Sequence, residues 1–357
     1  MTDFNPNTAC APNGNFFGFP FSAEESRLVL LSVPWDVTTS YRKGASKGPK
    51  AILDASIQLD FFDFEIPDAW NAGIGTCPLD ESLPIAEISE FLRPVAERAI
   101  AFLEHRFQDL PVGYGETNYA KDLGLVKKGG EKLNEWVQSE CTKFIKNKQK
   151  VGIVGGDHSV PLGFFNALAS FHDEFGILHL DAHADLRKEY EGFPYSHASI
   201  MHNALKIKNI SRIVQVGIRD VCEEEISLAR NSDGRILQFP DQNLQRSLLE
   251  GIPWSSCCDQ IISSLPSKVY ISFDIDAFDP SLCPHTGTPV PGGLSFAQAR
   301  YLLSRLRQSG KEIIGFDLCE VAPDPIDPNN EWDGNVGARI LYLLSNTLLH
   351  ASCPKEA

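Results

Sequence analysis

Six short, almost uniformly apolar runs rich in β-branched residues constrain this chain more than any other feature. They are RLVLLSVPWD (27–36), KVGIVGG (150–156), FGILHLDAHAD (175–185), RIVQVGIRD (212–220), KVYISFDIDAFDP (268–280) and EIIGFDLCEV (312–321). A strand with one wet face alternates apolar and polar residues, whereas a run apolar on both faces belongs in a sheet covered on both sides. Segments with helical spacing separate the runs, at 84–107, 130–147, 160–170, 296–309 and 336–350. Strand then helix, repeated, predicts an α/β fold of three layers, α/β/α, around a mostly parallel central sheet. The stretches 59–83 and 110–130 have no clear period and are richer in Gly, Asp and aromatics, so they read as loops or insertions. Residues 1–26 read as an N-terminal extension, and no repeat or linker divides 27–357.

A chain of 357 residues with 43% hydrophobic and 22% charged side chains can bury a sizeable core. Its net charge of −15 argues against nucleic acid or an anionic membrane as partner, because phosphates are held by clustered Lys and Arg. No apolar run approaches the roughly 18 residues of a membrane span. The opening residues lack the basic and apolar regions of a secretory signal, which predicts a cytoplasmic protein. Nine cysteines, an odd number, with Cys257 and Cys258 adjacent rather than spaced as CxxC, predict buried reduced thiols.

Parallel sheets bind ligands in the loops after the carboxyl ends of their strands, and the polar residues gather there. His158 lies in GGDHS (155–159), Asp181, His183 and Asp185 in DAHAD (181–185), and Asp274 and Asp276 in FDID (273–276). Strand alternation would project the three DAHAD groups to one face, and the two of FDID likewise. Any one of the six would pass as a cap or turn residue. Together, four carboxylates without counter-charge would repel and raise one another's pKa in a cleft. Cations resolve the conflict: carboxylates and imidazoles suit divalent first-row metals, and six ligands fit two ions that share carboxylates. Two such ions, four carboxylates and a bridging hydroxide leave about −1, so a loaded site would still attract a cation.

GGDHS, DAHAD and SFDIDAFDPS, in this order and separation, resemble the three metal-binding signatures of the ureohydrolase family, which includes arginase, agmatinase, guanidine hydrolase and formiminoglutamase. The resemblance spans about residues 27–350, and SVPWDVTTSYRKGASKGPKAI (32–52) is similar to the first block of agmatinases. It implies an arginase-like fold, a single catalytic domain over 27–357, and two divalent ions per chain, Mn²⁺ or Ni²⁺. Carried over residue by residue, His158, Asp181, Asp185 and Asp274 would hold one ion, and Asp181, His183, Asp274 and Asp276 the other. His197, in SHAS (196–199), matches the family's proton-shuttling histidine, and Glu320, in EVAP (320–323), its glutamate for a substrate NH₂ group. The implied reaction is attack of activated water on a guanidinium carbon, with Asp185 passing a proton to the leaving nitrogen and urea released. The family also implies a homo-oligomer, trimer or hexamer, to which the N-terminal segment and 59–83 would contribute contacts.

The substrate is narrowed by departures from the family's branches. The loop LRKEYEGFPYSHAS (186–199) lacks the Asn with which arginases hold an amino acid's carboxylate, and it is crowded with Tyr190, Phe193 and Tyr195. Aromatics lining a pocket would favour a compact cation through cation–π contact, with Trp332 as a cap. The stretch EVAPDPIDPNNEWDGNVGARI (320–340) resembles an agmatinase-like branch that contains guanidine hydrolases. These readings rank guanidine or another small guanidino compound ahead of agmatine, with a formimino-amino acid third. His179 is expected as a hydrogen-bonded core residue, and Asp157 and Asp279 as supports of the ligand loops. A single-zinc deacetylase on a similar fold would carry fewer carboxylates, and a non-catalytic subunit would have lost ligands; the six-residue set disfavours both.

Overall fold

The computed structural model describes residues 4–8, 10–77 and 84–351. The six apolar runs form strands, joined by two short ones that hydrophobic patterning misses. The strands are β1 (Leu28–Val33), β2 (Ile74–Thr76), β3 (Lys150–Gly155), β4 (Phe175–Leu180), β5 (Ile210–Val216), β6 (Ile236–Phe239), β7 (Lys268–Asp274) and β8 (Glu312–Cys319). They make one parallel sheet in the order β2-β1-β3-β8-β7-β4-β5-β6. The missed strands are the two edges. At three and four residues they are too short to show a period.

Among the described residues ten helices cover the faces: α1 (Gly48–Ser56), α2 (Ile85–Leu103), α3 (Glu116–Lys146), α4 (Leu162–Ala169), α5 (Ile200–Ala204), α6 (Glu223–Arg230), α7 (Asp241–Leu249), α8 (Trp254–Ser263), α9 (Phe296–Gln308) and α10 (Trp332–Leu349). Val29, Leu31 and Val33 of β1 point into a core with α2, α3 and α4, while Leu28 and Leu30 point into a second core with α1 and α10. Both faces are therefore buried, which is why these strands are apolar throughout. The three-layer α/β/α architecture is the one expected. Among the described residues no helix is long and apolar enough to cross a membrane.

Two stretches without a clear period proved more ordered than loops. Residues 116–130 are the first half of α3, and their glycines mark close packing. A Cβ on Gly129 would overlap Leu92 of α2, and one on Gly130 would press on the Tyr195 ring. The 59–83 stretch contributes β2, paired through Ile74 with Leu28; its residues 78–83 lie outside the described ones. The N-terminal extension joins the core as well. Phe17 and Phe19 are buried, with Phe19 4.8 Å from Phe61 and Phe17 5.3 Å from Tyr342 between ring centroids.

The strand order positions the site. β3, β8, β7 and β4 are neighbours in space although the chain visits them near 150, 312, 268 and 175. Their carboxyl ends carry His158, Glu320, Asp274 and Asp181 together above the middle of the sheet. The approach to that end is tight: Gly156 donates to Val33 O (2.9 Å) and accepts from Glu320 N (2.8 Å), and a Cβ there would overlap the Trp35 backbone. Gly156→Ala is accordingly expected to destabilise the protein by about 2–3 kcal/mol, seen as a Tm lowered by several degrees in thermal unfolding. An unchanged Tm would contradict the close approach.

Candidate metal centre

β4 stops at Leu180, so DAHAD lies just beyond the strand and does not continue its alternation. Asp185 turns into the left-handed region (φ 54°), and its carbonyl accepts from Met201 N (3.0 Å) and His202 N (3.1 Å) of α5. The FDID pair departs similarly: Asp274 ends β7, and Asp276 lies in a 3₁₀ turn whose N–H donates to Asp274 Oδ1 (2.9 Å). The expected convergence is thus reached by turns after the strands rather than by strand pleat.

Two half-sites result. Around His158 Nδ1 stand Asp181 Oδ2 at 3.0 Å, Asp185 Oδ2 at 3.2 Å and Asp274 Oδ2 at 3.3 Å. Around His183 Nδ1 stand Asp276 Oδ2 at 3.1 Å and Asp181 Oδ1 at 3.4 Å. Asp181 offers one oxygen to each half, and all six side chains are buried except His183, which is partly open. Asp181 thus faces both half-sites, whereas Asp274, expected beside it as the second shared residue, turns Oδ2 towards His158 and accepts from Asp276 N with Oδ1.

Neighbouring groups hold these side chains in place. His158 Nε2 sits 2.8 Å from Ser272 Oγ and 3.5 Å from Asp317 Oδ1, leaving Nδ1 to face the carboxylates. Gln215 Nε2 donates to His179 Nδ1 (2.9 Å) and to Ala184 O (2.7 Å), so the other ring nitrogen of His179 donates to Asp181 Oδ2 (2.8 Å). His179 is the hydrogen-bonded core histidine that was expected. Asp157 Oδ1 accepts from Ser159 N (3.0 Å) and Oγ (2.5 Å), a turn support as read from sequence. Ser272, Asp317 and Gln215 were not singled out in the sequence; they lie inside apolar strands, where the polar residue facing a site breaks the run.

Electrostatically the centre is short of positive charge. Burial, then repulsion by Asp181, lifts Asp185 to about 6. Burial, then Asp276 and Asp181, lifts Asp274 well above the ordinary carboxylate range. Burial would also raise Asp181, but His179 and its hydrogen bonds to three histidines pull it well below. His158 goes the other way: burial disfavours its cation, yet the carboxylates of Asp181, Asp185, Asp274 and Asp317 prevail and raise it well above the usual value.

Glu320 follows β8 in a left-handed conformation (φ 64°), with its N–H bonded to Gly156 O. Its Oε1 accepts from His158 N (2.9 Å), while its buried Oε2 has no hydrogen-bond partner among the described residues. Burial, then Asp157, raises its pKa well above normal. His197 begins a 3₁₀ turn (His197–Ser199), its ring 6.0 Å from Tyr190 and edge-on. Burial, then the charges of His183 and His158, lower it to about 3, so its imidazole is neutral near pH 7.

The other two aromatics have different neighbours. Tyr195 packs against Gly130 of α3, and Trp332, nearly half exposed, donates from Nε1 to Ser281 O (2.9 Å). Tyr190 instead stacks under Arg187, whose guanidinium carbon is 5.0 Å from the ring centre.

Residues 26–345 match the family model described as the arginase family. The chain belongs to the arginase family. It is 34% identical over 301 residues to the N(1)-aminopropylagmatine ureohydrolase of Thermus thermophilus, covering 84% of each chain. It is 28% identical over 308 residues to the agmatinase of Halalkalibacterium halodurans, covering 86% of this chain and 88% of that one. Among solved structures, proclavaminate amidino hydrolase of Streptomyces clavuligerus aligns with a TM-score of 0.71 at 23% identity, covering 96% of this chain and 99% of that one. The agmatine ureohydrolase of Thermoplasma volcanium aligns with a TM-score of 0.68 at 23% identity, covering 94% of both. At these identities the two structures establish the arginase-family fold. The family is binuclear and metal-dependent, and the buried His/Asp cluster of this member offers nitrogen and oxygen donors of the kind such a centre uses.

Proposed function

We propose that this arginase-family chain is a two-metal hydrolase that cleaves a C–N bond of a small cationic guanidino compound and releases urea. One observation carries the reading: two half-sites share Asp181, and beside them a buried Glu320 oxygen has no partner among the described residues. The donor set fits the metals. Four buried carboxylates, two of them driven upward in pKa by burial and by one another, form an arrangement that divalent cations stabilise. His158, Asp181, Asp185 and Asp274 would hold one ion, and Asp181, His183, Asp274 and Asp276 the other, either as Mn²⁺ or as Ni²⁺.

Bound there, the ions would neutralise the carboxylates and make water acidic enough to attack an amidino carbon near neutral pH. The protein's own groups do the rest. Glu320 Oε2 accepts from an NH₂ of the planar substrate, and its anchor on His158 N ties substrate position to the centre. Asp185 takes a proton from the attacking water and returns it to the departing nitrogen. His197, partly exposed and held uncharged by its surroundings, is the residue that would relay a proton between solvent and the site.

The names of the relatives support guanidino substrates with an aliphatic amine tail, and the neighbours of Tyr195 and Trp332 weaken the case for a pocket closed down to guanidine itself. Guanidine and agmatine are therefore assayed together. After stripping with a chelator and reloading with Mn²⁺ or Ni²⁺, urea release from guanidine or agmatine is expected to be lost and then restored, with about two ions bound per chain. Cleavage of an N-formimino compound without urea from any guanidino compound would overturn the proposal, as would a single bound ion.

A further inference from the structure

Between the turn at Asp276 and the start of α9 the chain runs through Ser281–Gly287 without regular structure, yet this segment borders Glu320. Thr286 Oγ1 donates to the Glu320 carbonyl (2.8 Å). A Cβ on Gly287 would stand 3.5 Å from Glu320 Oε2 and 3.4 Å from the Thr39 methyl. The segment is thus one wall of the space that Glu320 faces, and an irregular wall needs an anchor.

The anchor is His285. Its backbone N–H donates to Asp333 Oδ1 (3.1 Å), and its ring Nδ1 lies 2.7 Å from Asp333 Oδ2, so one carboxylate grips both. Its other ring nitrogen is 3.3 Å from Asp324 Oδ2, in the loop that follows Glu320. Asp324 is itself fixed, accepting from Ile326 N (2.8 Å), Asp327 N (3.1 Å) and Asn330 Nδ2 (2.9 Å). Asp333 is nearly inaccessible, in the first turn of α10, where a carboxylate is favoured by the helix dipole. That turn cannot shift easily: a Cβ on Gly334 would overlap the Ala51 carbonyl of α1. Rigid helix, carboxylate, imidazole and loop thus form one chain of contacts ending at the pocket wall.

We propose that His285 is a positioning residue: gripped by Asp333 at the start of α10, it fixes residues 283–287 against Glu320 and so sets the affinity for the substrate's amidino head. The proposal rests on the ureohydrolase reading of Glu320. His285 touches no reacting atom, so its loss weakens binding of ground state and transition state alike.

Asparagine and glutamine separate this role from general packing. The amide nitrogen of Asn overlays Nδ1 and keeps the Asp333 bond, whereas Gln reaches only towards Asp324. With the full chain loaded with Mn²⁺ or Ni²⁺, and with whichever of guanidine and agmatine the wild type cleaves better, H285Q and H285A are expected to raise KM about tenfold. Their kcat should stay within about threefold, and H285N should stay within about threefold of wild-type KM. Amide hydrogen exchange over 281–287 and 320–323 should quicken in H285Q and not in H285N. Wild-type KM in H285Q, a loss confined to kcat or Tm, or equal behaviour of H285N and H285Q would overturn the proposal. If the wild type cleaves no guanidino compound, the ureohydrolase reading fails by itself. The exchange data then decide the anchor, and unchanged exchange in H285Q overturns it.

Discussion

Asp181→Asn is expected to lower urea release by about a thousandfold or more and to cut the metal content from about two ions per chain to one or none. Asp181 directs one oxygen towards His158 and the other towards His183. Asparagine keeps its volume but replaces a shared anion with a neutral group that has a single acceptor, so both half-sites lose one negative charge while keeping Asp185, Asp274 and Asp276. Its partners are affected too, because His179 Nε2 and the His183 N–H both use the Asp181 carboxylate, at 2.8 and 2.6 Å. The comparison that isolates the effect is Asp185→Asn, which touches one half-site. That variant is expected to lose activity while keeping one ion. Metal analysis of both purified variants, alongside a urea assay, checks this; full metal content with full activity in Asp181→Asn would remove the shared-ligand assignment.

Glu320→Gln is expected to lower kcat/KM for the guanidino substrate by about a thousandfold while leaving two ions bound. The amide oxygen can still accept from His158 N, so the local fold survives. The amide NH₂, however, would face the donor NH₂ groups of the substrate, putting a donor where an acceptor stood. Binding of two ions separates this from ligand loss, and circular dichroism separates it from misfolding. Activity within tenfold of wild type would mean that Glu320 does not touch the substrate.

The fold was legible because its signal is local. Uniformly apolar runs and helical spacing reflect burial on one or both faces, and those were read over 27–36, 150–156, 268–280 and 312–321 without reference to neighbours. The failures have equally definite causes. β2 and β6 are shorter than one reliable period, and the 116–130 half of α3 was obscured by Gly129 and Gly130, which are there because α2 and Tyr195 come too close for a side chain. The direction of Tyr195 followed from that same contact, which no feature of the 186–199 loop discloses.

Residue chemistry at the strand ends was enough to name the six candidate ligands, since carboxylates and imidazoles closing apolar strands have few stable alternatives to binding cations. The sequence by itself determined that composition, together with the three-layer architecture. What only the tertiary structure decided is the partnership. Strand order β3-β8-β7-β4 brings residues from four separate stretches to the carboxyl end of the sheet's centre, and post-strand turns, not pleat, divide them between His158 and His183. His285 and Asp333 are joined across 48 positions by the docking of α10 on α1. Hydrophobic period and side-chain type are properties of a few consecutive residues, whereas which ends meet depends on how every crossover packs, a sum over the whole sheet that no single segment encodes.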